Sequence, residues 1–394
     1  MSTQFFDDPS VVQRVLDHID NRTTDLSEAN WREPVENYRS PDRLAAELRM
    51  MRSYPTPFCP SAALPEAGSY VARDAAGTPL VAVRDTNGKV NVFRNACRHR
   101  GAQVASGSGC AKVLVCPYHA WAYGLDGQLR HVPYQHGFPD LDKSARGLAP
   151  VHAVERHGIV FVTQEPSAFD ASVLDELPDL IPSEEWIYSI VEDEVMANWK
   201  LIAEGFLEGY HIRPTHRETF LPHGFDNLTV IETAGRNRRV TFPFKAIEKM
   251  RAVPGAQRTA DRVLTYAYHL FPNVMLVTFP DLIALIALEP IAPDRTRAFT
   301  YSMGARGARN AETPNAAKLA KEFLDAGIAE DRAIHCAQQK NLASGANEFF
   351  EFGRFEGALS HFHRTLDAAL DNCGPEEKRA SQNCAPDIEV PNER

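Results

Sequence analysis

Apolar residues recur with helical spacing in two stretches near the start of the chain, VVQRVLDHI (11–19) and PDRLAAELRMM (41–51). Side chains three and four positions apart share a helix face, so each stretch predicts an amphipathic helix. From residue 56 the period drops to two. SYVARD, PLVAVRD and KVNVFRN alternate apolar and polar positions and predict antiparallel strands. The last two are joined through Thr86-Asn87-Gly88, and Asn-Gly suits a tight hairpin because both residues tolerate positive φ. KVLVCP, an Asp126-Gly127 turn and HGIVFVT carry the pattern on to about residue 165. A small antiparallel β domain is predicted.

Beyond residue 166 the pattern is mixed. IYSIVEDEVMA, RRVTFPF, HLFPNVMLVTF, DLIALIALEP and RTRAFTYSMG predict strands. NWKLIAEGFLEGYHI (198–212) and SHFHRTLDAAL (360–370) predict helices, as does a long stretch over 313–342 whose middle Gly327 weakens. Strands followed by helices without regular alternation indicate an α+β fold: a central antiparallel sheet covered by helices. The expected division is a helical segment over 1–55 packing on the larger domain, a β domain over 56–165, a larger α+β domain over 166–371 and a polar tail over 372–394.

A chain of 394 residues is too long for one ordinary core, which supports two domains. Charged residues make up 24% and the formal net charge is −10, with no basic run, so nucleic acid and anionic membranes are not expected partners. The longest apolar run, LIALIAL, is far too short to span a bilayer, and the N-terminus shows no signal-peptide pattern. Seven cysteines, an odd and sparse set, do not form a secreted disulfide framework. A reducing cytoplasm is expected, with some cysteines free to bind metal.

The cysteines are informative in CRHRGAQVASGSGCAKVLVCPYH (97–119). Cys97-x-His99 is followed after sixteen residues by Cys116-x2-His119. Three readings compete. The four residues could be ordinary core side chains. They could hold a structural zinc, although zinc sites usually pair like ligands two to four residues apart. They could also hold a Rieske [2Fe–2S] cluster, which needs two thiolates on one iron and two imidazoles on the other.

CRHRGA and CPYHAW resemble the two cluster-binding boxes of the Rieske non-haem iron oxygenases, the ring-hydroxylating and demethylating family. The resemblance implies that Cys97 and Cys116 hold one iron and His99 and His119 the other. It also implies that Gly101 eases the loop past the cluster and that Trp121 packs beside it.

A second constellation lies in NWKLIAEGFLEGYHIRPTH (198–216), with Glu204, Glu208, His211 and His216. If the stretch is one helix, Glu204, Glu208 and His211 fall in a narrow wedge of one face. Pro214 ends or kinks that helix, and the turn could bring His216 beside His211. Two histidines and one carboxylate with open positions form the facial triad of non-haem iron(II) enzymes. The spacing resembles the family's Asp/Glu-x3-Asp-x2-His-x4-His motif after Asn-Trp-Lys. Glu204 and Glu208 are local candidates for the carboxylate. By resemblance it is Asp331, in EDRAIHCAQQKNL (330–342). Asn198, which opens the segment, is a further catalytic candidate. His361 and His363, in a stretch like the family's closing segment, read as structural or surface residues.

Two departures stand out. Glu208 occupies a position where the family usually has Asp, and that acid links a cluster histidine of a neighbouring subunit to an iron histidine. By resemblance Glu208 joins His119 of one chain to His211 of the next. The Asp-to-Glu exchange occurs in some relatives acting on quaternary ammonium compounds. Gly205 replaces a common Asn.

The resemblance covers roughly 40–370. It implies an O2-using oxygenase component with a Rieske cluster and a mononuclear iron, a homotrimer, fed by a separate reductase, directly or through a ferredoxin, from NAD(P)H. The apolar strands over 275–288 suit an aromatic or otherwise apolar substrate, although most of them read equally as sheet core. A quaternary ammonium substrate is the alternative within the family. An electron-transfer protein without the second iron, or a zinc-stabilised binding protein, is the alternative outside it.

Overall fold

The computed structural model describes residues 5–165, 171–183, 185–304 and 313–372. The predicted tail lies outside them apart from Asn372. Two seven-stranded antiparallel sheets organise the chain. The first runs in the order Thr56–Pro60, Ile159–Thr163, Pro150–Arg156, Val90–Arg94, Thr78–Arg84, Ser69–Ala75 and Gly107–Cys110. Its polar–apolar alternation is the burial pattern: along Ser69–Ala75 every second residue is buried. The predicted hairpin closes at Gly88 (φ +82°), with the Asp85 carboxylate accepting from the backbone N–H of Asn87 and Lys89. A three-stranded sheet, Leu114–Val115, Ala122–Tyr123 and Leu129–His131, is set beside it.

The second sheet runs in the order Trp186–Val195, Arg295–Gly304, Leu282–Ala292, Val274–Phe279, Leu264–Leu270, Asn237–Pro243 and Val230–Ala234. HLFPNVMLVTF, expected as one strand, is two. The chain turns at Phe271-Pro272-Asn273, and Val274 pairs back on Leu270. Proline cannot donate to a ladder, and here it marks the corner.

Helices dress this sheet. Helix α1 (Asp8–Asn21) is capped by Asp7 and buries Val11, Val12, Val15 and Leu16 against Val230, Ile247 and Leu264. Helix α2 (Pro41–Ser53) is capped by Ser40. The segment expected as one helix over 198–212 is broken into α3 (Trp199–Gly205) and a single turn, α4 (Ile212–Thr215). Helix α5 (Thr313–Asn341) is long and crosses behind them, and α6 (Gly357–Asn372) closes the chain.

Gly327 does not interrupt α5. A β-carbon there would lie 2.1 Å from the Phe220 ring, so the missing side chain is space that the ring occupies.

The two sheets share one core. Phe58, Val160 and Phe161 of the first pack in the same cluster as Leu276, Leu285 and Phe299 of the second. The seam is pinned by Arg73 and Glu289 at 2.8 Å, both buried, and Glu289 also accepts from the Ala76 N–H. Removing one partner of such a pair leaves a buried charge uncompensated, at a cost of about 3–5 kcal/mol.

Candidate metal centres

The two Cys/His boxes fold into the same turn. In each, the cysteine N–H donates to the carbonyl five residues on (Cys97 to Ala102, Cys116 to Trp121), and its carbonyl accepts from the N–H four residues on (Gly101, Ala120). The residue four on is left-handed both times: Gly101 at φ +82° and Ala120 at +56°. Glycine adopts that conformation at no steric cost, which accounts for Gly101. Cys97 and Cys116 are buried at the base of the turns, while His99 and His119 are only partly covered.

The imidazoles converge, with their Nδ1 atoms 3.1 Å apart. Trp121 stacks on the His99 ring at 4.8 Å and 9°. Burial, then His119, holds His99 below the usual imidazole range, in the neutral form a metal ligand needs. Tyr123 is an addition that sequence reasoning missed. Its hydroxyl lies 3.2 Å from the Cys97 sulfur and accepts from the Arg98 N–H.

The donor set discriminates between the two metal readings. Four ligands around one zinc ion would lie within about 4 Å of each other. Among the described residues, the only group of three or more such side chains with ligand atoms within 4.8 Å is a different one, formed by His211, His216 and Asp331. The Cys/His set is not drawn together in that way, and its two buried sulfurs and two converging nitrogens suit the two thiolates and two imidazoles of a binuclear cluster.

The second group lies where α3 gives way to α4. The Nε2 atoms of His211 and His216 are 3.1 Å apart, and Asp331 Oδ1 lies 3.6 Å and 3.0 Å from them. Ligands about 2.1 Å from one ion, at adjacent corners of an octahedron, are about 3 Å apart, so the set fits one face of such a site. Each histidine is oriented through its other nitrogen. His211 Nδ1 donates to Glu208, and His216 Nδ1 donates to Glu330 Oε2 at 2.7 Å, where Thr219 also donates. Those bonds leave both Nε2 lone pairs facing Asp331. Glu330 was not foreseen; its place next to Asp331 was the available signal.

Several expectations are corrected. Glu204, Glu208 and His211 do not share a helix face, because α3 ends at Gly205. A β-carbon on Gly205 would meet the His335 ring at 2.8 Å, which leaves no room for the Asn common at that position. Burial pushes His335 down to about 4 and keeps it neutral.

Glu204 turns away from the triad and is not a candidate ligand. It accepts from the Tyr38 hydroxyl at 2.7 Å and from His363 Nε2 at 3.0 Å. His363 is fully buried, with Glu33 3.3 Å from its other nitrogen. His361 accepts from Arg238 through Nδ1. Among the described residues, Asn198 makes no hydrogen bond to the triad. It caps α3, accepting from Lys200 N and donating to the Tyr38 and Pro293 carbonyls. Glu47 completes the anchorage of α3 through Lys200 (2.7 Å) and Trp199 (2.8 Å).

A cavity of about 810 Å³, mouth included, opens beside the triad. Seven of its lining residues are phenylalanines, including Phe220, whose ring lies 4.4 Å from that of His216. From the apolar strands over 275–288 only Val277 and Phe279 reach it. Leu276, Leu285 and Ile286 are sheet core. Among the described residues no helix is long and apolar enough to cross a membrane.

Residues 55–145 match the family model "Rieske [2Fe-2S] domain", and 177–372 match "Ring hydroxylating alpha subunit (catalytic domain)". The carnitine monooxygenase oxygenase subunit of Escherichia coli (strain K12) is 39% identical over 166 residues, 40% of this chain and 44% of that protein. The glycine betaine monooxygenase oxygenase subunit of Chromohalobacter salexigens is 32% identical over 228 residues, 55% of this chain and 50% of that one. The chain thus spans about half the length of these relatives or less. In fold it is similar to a quaternary ammonium Rieske monooxygenase (TM-score 0.74, 20% identity, 94% of this chain and 99% of that one). It is also similar to naphthalene 1,2-dioxygenase from Rhodococcus sp. (TM-score 0.72, 18% identity, 92% and 98%).

Proposed function

The chain belongs to the ring-hydroxylating Rieske oxygenases, and on that premise we propose that it is the oxygenase component of a multicomponent system acting on a small quaternary ammonium compound. The observation that carries the oxygenase reading is the triad of His211, His216 and Asp331 opening onto a cavity. An electron carrier has no use for such a cavity. The aromatic substrate expected from the sequence gives way to the quaternary ammonium alternative. The relatives named for carnitine and glycine betaine favour that alternative, as does Glu at position 208. Phenylalanine faces attract an onium head through their quadrupoles. They also suit a neutral ring, so an aromatic substrate is the second reading.

Cys97, Cys116, His99 and His119 would hold the cluster, and His211, His216 and Asp331 the mononuclear iron. When bound, the cluster supplies single electrons and the iron supplies the activation of O2. The chain's own residues do the rest. Glu208 and Glu330 fix the rotation of the two iron histidines and the nitrogen that carries the proton. The phenylalanine wall excludes water and holds the substrate against the triad. For a monooxygenation, O2, two electrons and two protons leave one oxygen atom in the product and the other in water. A reductase drawing on NAD(P)H is the proposed electron source.

Among the described residues, Glu208 bonds to Tyr210 and His211 and not to His119 of the same chain. In the proposed homotrimer a bridge from His119 to Glu208 would run between subunits. Exposed rings at both ends suit such a contact: Tyr118 and Tyr134 near the cluster loops, and Tyr210 beside Glu208. The test is substrate-dependent O2 uptake with a reductase, using ¹⁸O2, on quaternary amines, methoxyarenes and aromatic acids. Label in the product of a quaternary amine is expected. Uptake that no substrate stimulates would refute the oxygenase reading.

A further inference from the structure

The cavity beside the triad has a one-sided chemistry. Its titratable lining groups are Glu208, His211, His216 and Asp331, and no Lys or Arg lines it among the described residues. Thr265 adds a hydroxyl, but that oxygen is buried in the wall. The adjoining cavity, which shares Phe206, Ile328 and Asp331, does contain cations. They are already committed: Lys321 to Asp325 and Arg332 to Asp193, each at 2.5 Å.

A carboxylate entering the phenylalanine-lined cavity sheds its hydration and, among the described residues, finds no cationic side chain in the wall to replace it. An onium head loses less, because the ring faces of the phenylalanine wall compensate it. Carnitine and glycine betaine, the compounds in the relatives' names, each carry a carboxylate besides the onium group.

We infer that this pocket takes a substrate with no anionic group and discriminates against the carboxylate counterpart of the same skeleton. The inference rests on the oxygenase reading above and narrows its substrate class.

Three probes of similar size separate the two ideas by calorimetric titration of the metal-loaded protein: choline, its neutral isostere 3,3-dimethylbutan-1-ol, and glycine betaine. Choline is expected to bind, with glycine betaine weaker by about tenfold to a hundredfold, the scale for leaving a charged group unpaired. The neutral isostere is expected a few-fold weaker than choline. Glycine betaine binding as tightly as choline, or none of the three binding, overturns the inference. If the neutral isostere equals or exceeds choline while glycine betaine stays weak, the exclusion of anions stands and the quaternary ammonium reading falls.

Discussion

The two candidate metal centres are built in opposite ways. The Cys/His boxes are local: two copies of one turn, 97–102 and 116–121, each closed by its own backbone hydrogen bonds. The triad is assembled. His211 and His216 flank one helical turn, and Asp331 comes from α5, more than a hundred residues later. A local site is set by turn chemistry and is legible in the spacing of its ligands. An assembled site depends on what holds its parts together, here the anchorage of α3 to Tyr38, Glu47 and His363 and the packing of Phe220 against Gly327.

The sharpest way to break the comparison is to disable one centre and watch the other. Asp331→Ala is expected to abolish product formation and to lower iron from about three to about two per chain, with the cluster spectrum unchanged. Loss of cluster colour in that variant would mean that the centres are not independent. Glu208→Gln should keep both metals but slow reoxidation of the reduced cluster by O2 and substrate by about tenfold to a hundredfold. A normal rate would remove Glu208 from the proposed path between subunits. Glu330→Gln should weaken binding of the mononuclear iron by about tenfold, read by chelator competition, without changing the cluster.

The smallest effect concerns the scaffold behind α3. Burial opposes the charge on Glu33, but the His363 ring 3.3 Å away and hydrogen bonds from Asn37 and Trp31 hold its carboxyl at about 2. A carboxyl held below its ordinary 4.5 adds stability that is complete above about pH 4.5 and lost as the pH falls towards 2. Its size is about 3 kcal/mol. Glu33→Gln should therefore unfold at lower temperature than the parent near neutral pH, with the gap closing below pH 4.5. A gap that stays constant with pH would show that the pair is not ionised in this way.

The same contrast explains what could be read from the chain. The β period over 69–94, the Asn-Gly hairpin, the α+β class and the Cys/His spacing are local features, and they appear in the fold. The break of the 198–212 helix was not legible. Gly205 ends α3 with the ring of His335 from α5 packed against it, a contact that no local pattern announces. Glu204 looked like a ligand by helical spacing, yet Tyr38 and His363, distant in sequence, claim it. Gly327 looked like a weakness until Phe220 supplied its reason. Asp331 came from resemblance alone, since nothing in the spacing of a helix charge announces a partner 115 positions away. Glu330 offered only its place next to Asp331 as a signal.

The most direct test of two unlike centres in one chain is elemental analysis of anaerobically purified protein. About three irons and two acid-labile sulfides per chain, with the red-brown colour of a Rieske cluster, are predicted. Colourless protein holding zinc and lacking labile sulfide would contradict the account.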